Sequence, residues 1–231
     1  GVDEPDIAKT NGEIIVVAGN DKVHVVDVVR KNVLTTLLIW EPVYGLFLYG
    51  DTLIVLSQPQ IMGPVKIMPE RSCIECIFMI PPGTVNTTIH VFDLNNPSNP
   101  VLKTRISLTG SIVNARLTEK HLYLVTSQPI GDGAIPLING KPLEPSAIAI
   151  VDPMPSSYTN ILALDLEELK YSVYSFMTGG SSLLYMTPNR LYIAYTNTPR
   201  DIDAYISLCR VIAKYIPGEY SSKIIQYLEN N

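Results

Sequence analysis

Ile89-His-Val-Phe-Asp93 is a short apolar run that closes on an aspartate, and the chain repeats it twice, as Val23-His-Val-Val-Asp27 and as Ile161-Leu-Ala-Leu-Asp165. A second kind of run precedes each copy: Glu13-Ile-Ile-Val-Val17, Thr52-Leu-Ile-Val-Leu-Ser57 and His121-Leu-Tyr-Leu-Val-Thr126. A fourth example, Arg190-Leu-Tyr-Ile-Ala-Tyr-Thr196, comes late in the chain. Leu53, Leu122 and Leu191 are evenly spaced, while Ile14 precedes Leu53 by a distance close to the blade length of about 40–45 residues. Two more apolar segments complete each cycle, over 33–40, 101–108 and 171–177, then over 43–49, 111–117 and 181–187. Gly50, Gly110 and Gly179-Gly180 punctuate the joins, where tight turns call for positive φ. Val, Ile, Thr and Tyr dominate the segments, as pleated, half-buried strands require. Four short strands per cycle, repeated in order, predict the blades of a β-propeller.

Two Pro-rich insertions, over 58–87 and 128–146, lengthen the later cycles. Both begin with Ser-Gln-Pro, at Ser57–Pro59 and Ser127–Pro129, so they are expected to leave the same edge of consecutive blades. After Pro199 the pattern turns helical. Ile202, Tyr205, Ile206, Cys209, Ile212 and Ala213 share one face, Pro217-Gly218 ends the helix, and a second helix is expected over 220–228. The expected fold class is therefore all-β with a short α-helical C-terminal segment. Residues 1–197 form a partial β-propeller of about three and a half four-stranded blades, and 198–231 a helical segment. The strand segments group as three, four, four and two, too few to close a ring, which predicts an open arc.

The composition narrows the class. Of 231 residues, 46% are hydrophobic and 17% charged, which excludes a disordered chain. The formal net charge of −5 comes without a Lys/Arg cluster, so nucleic acid is not expected as a partner. No apolar run reaches the roughly 20 residues of a membrane span. Gly1 is not an initiator Met and no signal peptide stands in the chain, so a processed or cut product is expected. Three cysteines are too few for a disulfide scaffold or a Cys-only zinc site.

The chain resembles archaeal and bacterial secreted proteins with a C-terminal β-propeller domain of unassigned activity. The resemblance is carried by residues 1–12 (Gly-Val-Asp-Glu-Pro-Asp-Ile-Ala-Lys-Thr-Asn-Gly), by Ser111-Ile-Val-Asn-Ala-Arg-Leu117, by Ser157-Tyr-Thr-Asn-Ile-Leu-Ala-Leu-Asp-Leu166, and most specifically by residues 180–196. It implies an extracytoplasmic, secreted or cell-surface protein. It also implies a helical insertion after Thr196 with further blades beyond it, and it brings no catalytic residue.

Among candidate site residues, Asp27, Asp93 and Asp165 read as structural repeat aspartates that bond turn amides; the competing reading makes them ligands around a channel. Asp3, Glu4 and Asp6 form an acidic cluster that would suit a cation, a solvated end or a salt bridge to a blade. Cys73-Ile-Glu-Cys76 is a single Cys-x-x-Cys in a Pro-rich loop, read as a loop-local disulfide or two free thiols, with no zinc; Cys209 reads as core. His24 and His90 occupy equivalent positions where the third cycle has Leu162, which favours packing over a ligand ring. Asn86-Thr-Thr88 matches a glycosylation acceptor pattern that also arises by chance. The apolar residues over 61–80 are expected to pack on the blades or meet a partner. No cofactor is implied. The expected function is a binding or scaffold module for a protein or glycan, with a second copy or further blades completing the arc and a homodimer as the simplest assembly. The alternative is a hydrolase with acidic residues at the channel mouth.

Overall fold

The repeated runs become strands that pair in chain order. A computed structural model describes residues 1–59, 85–130, 135–152, 155–187 and 190–196, together with Gln226, which is helical and exposed. The chain divides into two compact units, Gly1–Thr196 and Asn197–Asn231, and every strand below belongs to the first. The helices expected after Pro199, apart from Gln226, lie outside the described residues, as do Cys73, Cys76, Cys209 and the apolar residues over 61–80.

β1 (Val2–Asp3) precedes the blades. β2 (Ala8–Thr10), β3 (Ile14–Ala18), β4 (Lys22–Asp27) and β5 (Asn32–Leu38) form blade I, an antiparallel sheet in sequential order. β6 (Val43–Tyr49), β7 (Thr52–Ser57), β8 (Asn86–Asp93) and β9 (Val101–Thr109) form blade II. Blade III begins with β10 (Ser111–Thr118) and β11 (His121–Pro129). The second insertion then supplies β12 (Leu137–Ile138) and β13 (Lys141–Pro142), and β14 (Ile148–Ile150) follows it, before β15 (Ser157–Asp165) and β16 (Tyr171–Thr178) complete the blade. β17 (Gly180–Thr187) and β18 (Arg190–Thr196) pair as a two-stranded start to blade IV. The described residues thus form a nearly all-β partial propeller of three full blades and a half.

Blade I has one strand more than the sequence pattern predicts. Ala8-Lys-Thr10 is short and carries no apolar alternation; it becomes a strand because β3 offers it a paired edge, Ala8 opposite Val17 and Thr10 opposite Ile15. The second insertion is also more ordered than its prolines imply. Asn139 and Gly140 both take positive φ, 50° and 76°, the two-residue hairpin turn that Asn-Gly favours. The β12–β13 hairpin joins the outer edge of blade II through Ile138 opposite Leu108, while β14 runs parallel to β16 at the outer edge of blade III.

The core lies between sheets. One cluster joins Phe47, Ile54, Leu56, Ile89, Val91, Ile106 and Leu108 of blade II to Ala115, Leu117, Leu122, Leu124, Leu162 and Leu164 of blade III. The other joins Leu46, Leu53, Val55 and Phe92 of blade II to Ile14, Val16, Val23 and Val25 of blade I, with Ile39 from the connection between them. Alternate residues of β7 therefore face opposite neighbours, which is why Leu53–Leu56 can be apolar without interruption. Full burial of each Leu, Ile or Phe contributes roughly 1.5–3 kcal/mol. Among the described residues, no helix is long and apolar enough to cross a membrane.

Polar groups seal the join between blades II and III. Thr109 donates its hydroxyl to Gln128 Oε1 at 2.6 Å, and the Thr109 carbonyl accepts from Thr126 Oγ1 and Asn160 Nδ2. Ser175 Oγ in turn donates to Asn160 Oδ1 at 2.8 Å. Gly110 turns the chain here with φ +105°, and a Cβ on it would stand 2.8 Å from Thr126 Oγ1 and 3.0 Å from the Ser127 carbonyl. Gly12 has nearly the same φ, +97°, with open space around it. Gly12→Ala is therefore expected to cost about 1 kcal/mol of backbone strain, and Gly110→Ala at least about 2 kcal/mol. Urea denaturation of the two variants checks this; equal losses would show that the clash is absorbed.

Candidate functional site

The N-terminal segment is the first place where candidate residues converge. It runs as a strap over the first strands of blades II and III before joining blade I. Val2 and Asp3 pair with Thr118 and Leu117 of β10, and Asp6 exchanges two backbone bonds with Leu46 of β6, at 3.2 and 2.8 Å. Pro5 fits between because position 45 is glycine: a Cβ there would stand 2.8 Å from Pro5 Cβ. The three acidic residues do separate jobs. Asp3 Oδ1 accepts from Lys9 Nζ at 2.7 Å, Glu4 Oε1 meets Arg116 Nη2 at 2.8 Å, and Asp6 Oδ1 accepts the Ile7 amide at 2.7 Å. Arg116 is a buried guanidinium whose Nη1 also donates to Asn114 Oδ1 and the Ala115 carbonyl, both at 2.8 Å. Burial raises the Tyr44 hydroxyl above its ordinary range, and the nearby Arg116 charge opposes that shift. Among the described residues, no group of three or more His, Cys, Asp or Glu is placed to hold a metal ion.

The repeat aspartates lie elsewhere, each at the end of a third strand. Asp27 Oδ1 accepts the amides of Val29 and Arg30, Asp93 Oδ1 that of Asn95, and Asp165 Oδ1 those of Glu167 and Glu168, all within 3.0 Å. Asp93 also meets Lys103 at 3.0 Å, and Asp165 meets Lys120 at 3.3 Å. The Asn95 amide, then Lys103, hold the Asp93 carboxyl below its usual range; the Glu168 and Glu167 amides, then Lys120, do the same for Asp165. The three aspartates do not converge on one another; each closes its own turn. A cleft of about 220 Å³ opens beside two of these turns, lined by Asp51, Asp93, Lys103 and Glu167 among others.

The histidines separate as well. His24 Nδ1 lies 3.0 Å from Thr36 Oγ1, and His121 Nε2 lies 3.5 Å from Asp165 Oδ2. His90 is buried on the face of blade II that meets blade I, stacked against Phe92, with Nε2 3.0 Å from Ser57 Oγ. Ser57 donates to Glu41 Oε2 at 2.7 Å, and Glu41 Oε1 pairs with Arg105 at 3.1 Å. This contains the residue types of an acid–base–nucleophile set in the wrong order. The carboxylate bonds the serine rather than orienting the histidine, and Ser57 is fully buried. Its evident work is to tie the connection between blades I and II to the sheet.

Sequence reasoning missed one exposed residue. Ile39 enters the core, its amide and that of Trp40 donate to the Asp21 carbonyl, and the chain then turns through φ +66° at Trp40. The indole is left 79% exposed. Glu41 and Pro42 follow, and the Pro42 carbonyl accepts the Gln58 amide where the first insertion departs. Gln58 Oε1 accepts the Ile112 amide of the next blade at 2.8 Å. Trp40 is the lone tryptophan of the chain, and an aromatic ending an apolar run just before Glu-Pro was the available signal.

A family model described as a beta propeller domain matches residues 1–225. An uncharacterized protein of Methanocaldococcus jannaschii is 27% identical over 241 aligned residues, covering 100% of this chain and 33% of that protein. The chain thus spans about a third of the length of the curated relative it matches.

The buried histidine sets a pH dependence. Burial, then the Arg105 charge, lower His90 to about 4 against an ordinary value of 6.5, with Glu41 opposing. Between these values the unfolded chain takes a proton that the folded chain refuses, so stability falls as pH drops from about 6.5 to about 4. Urea midpoints measured across that window are expected to decline for the native chain and to flatten in His90→Gln. Parallel curves for the two would remove His90 as the source.

Proposed function

The chain belongs to the beta propeller domain family, and from that premise we propose that it is an extracytoplasmic binding or scaffold module. It contacts a protein or a glycan through the face from which the insertions depart. Trp40 carries this reading. A non-glycine residue with left-handed backbone costs about 1–2 kcal/mol, and a large apolar side chain held in water recovers none of that by burial. Strain without a packing return is a mark of a functional position. Tryptophan suits the role: its flat apolar face and polar N–H fit both a protein hot spot and a sugar ring. Glu41, Ser57, His90 and Arg105 hold the connection beneath it. Placement outside the cytoplasm rests on the resemblance of residues 1–12 and 180–196 to secreted proteins.

A second surface favours self-assembly. The outward face of β17–β18 exposes Leu183, Tyr185 and Tyr192, with the two tyrosine rings 6.0 Å apart. A further blade, or a second copy, is the occupant such a face calls for.

Three outcomes are expected. Trp40→Asn, which accepts left-handed backbone, leaves stability unchanged or raises it by up to about 1 kcal/mol, while Trp40→Ala weakens retention on a glycan array, or photo-crosslinking of a protein partner at position 40, by at least about tenfold. Binding indifferent to Trp40→Ala sinks the proposal. Light scattering at high micromolar concentration is expected to show dimers that Tyr185→Ser together with Leu183→Ser disperses; a clean monomer in the native chain contradicts self-assembly.

A further inference from the structure

The strap over residues 1–7 is held in an unusual way for an element that covers a buried charge. None of its side chains is buried. Its hold consists of the two-residue β1 ladder, the Asp6–Leu46 bridge, a bond from the Ala18 amide to the Ile7 carbonyl, the seat of Pro5 against Gly45, and the ion pairs Asp3–Lys9 and Glu4–Arg116. Segments with few buried apolar contacts open locally at small cost, and exposed ion pairs weaken with salt. What the strap covers is built quite differently. Arg116 has a side chain only 9% exposed, against 69% for Glu4, and its Nη1 is fixed by Asn114 and the Ala115 carbonyl. Those two contacts hold Nη1 independently of Glu4, which meets Nη2.

We infer that Glu4 is an internal stand-in for a ligand. β10 is a peptide-binding edge, and when the strap lifts it receives an extended peptide whose carboxylate replaces that of Glu4 on Arg116. The chemistry is strand addition: backbone groups opposite Leu117 and Thr118 supply affinity and the guanidinium selects an acidic side chain. Gly45 adds selectivity, because it admits a proline directly after the acidic residue, as Pro5 follows Glu4. The preferred ligand is thus an extended acidic peptide with an Asp/Glu-Pro step.

The test uses the whole chain and a fluorescein-labelled peptide of the strap sequence, Gly-Val-Asp-Glu-Pro-Asp-Ile. In the native chain the strap competes, so apparent affinity is reduced to the open fraction. Glu4→Gln in the chain is expected to tighten peptide binding by about tenfold, with Kd rising as salt is added. Arg116→Gln introduced alongside it is expected to abolish that gain. A peptide carrying Gln in place of its Glu is expected to bind poorly to the Glu4→Gln chain, which asks the same question without altering Arg116. Amide exchange in the β1–β10 ladder should quicken in Glu4→Gln while β7 stays slow. Peptide affinity unchanged by Glu4→Gln, or equal affinity for the two peptides, or a ladder that exchanges as slowly as β7 in both chains, overturns the inference.

Discussion

The two-sided burial of blade II is the constraint on which the rest of the unit depends. An isolated sheet carrying Phe47, Ile54 and Leu56 on one face and Leu46, Leu53 and Val55 on the other has no soluble face. It is stable only with a blade packed against each side, which fixes the order of the three blades and the path of the connections between them. Blades I and III each give blade II a largely apolar face. Their far faces are more polar or only partly covered, with His24 and Thr36 on blade I and Tyr174 on blade III. The unit is most secure at its centre and least committed at its ends.

The polar groups follow from that arrangement. At the join of blades II and III the buried Thr109 carbonyl is satisfied by Thr126 and Asn160, with Gln128 and Ser175 completing the network, and at the join of blades I and II the side chains of Glu41, Ser57 and His90 bond one another. Gln58 and Gln128, from the two Ser-Gln-Pro steps, both bond across to a neighbouring blade segment. Clusters of serine, histidine and carboxylate in such a fold read first as joints. The residues with unexplained costs, strained Trp40 and buried Arg116 paired to an exposed carboxylate, are better pointers to function.

The blades were legible in the sequence because they are written in local patterns: alternation, a closing Asp and glycine at the joins. Asp93 and Asp165 could be read as turn residues from the Leu-Asn-Asn-Pro and Leu-Glu-Glu that follow them. β2 was not legible, since Ala8-Lys-Thr10 has no apolar periodicity and is a strand only because β3 pairs it. The β1–β10 pairing joins residues more than a hundred positions apart, and no local signal predicts it. The β12–β13 hairpin was legible in principle from Asn139-Gly140, but the surrounding prolines masked it. The outward turn of Trp40 depends on Ile39 being drawn into the core, a tertiary fact. The acidic cluster at the N-terminus was visible as charge, whereas its division among Lys9, Arg116 and a backbone amide required the fold.

Native-state hydrogen exchange across Gly1–Thr196 tests the central claim most directly. If burial of blade II on both faces organises the unit, the amides of β7 and β8 exchange slowest, opening only with global unfolding. Those of β4 and β16 should be faster, and those of β1 and β18 faster still. Exchange in β7 and β8 no slower than in β4, or a slowest class located in β17–β18, would contradict the account.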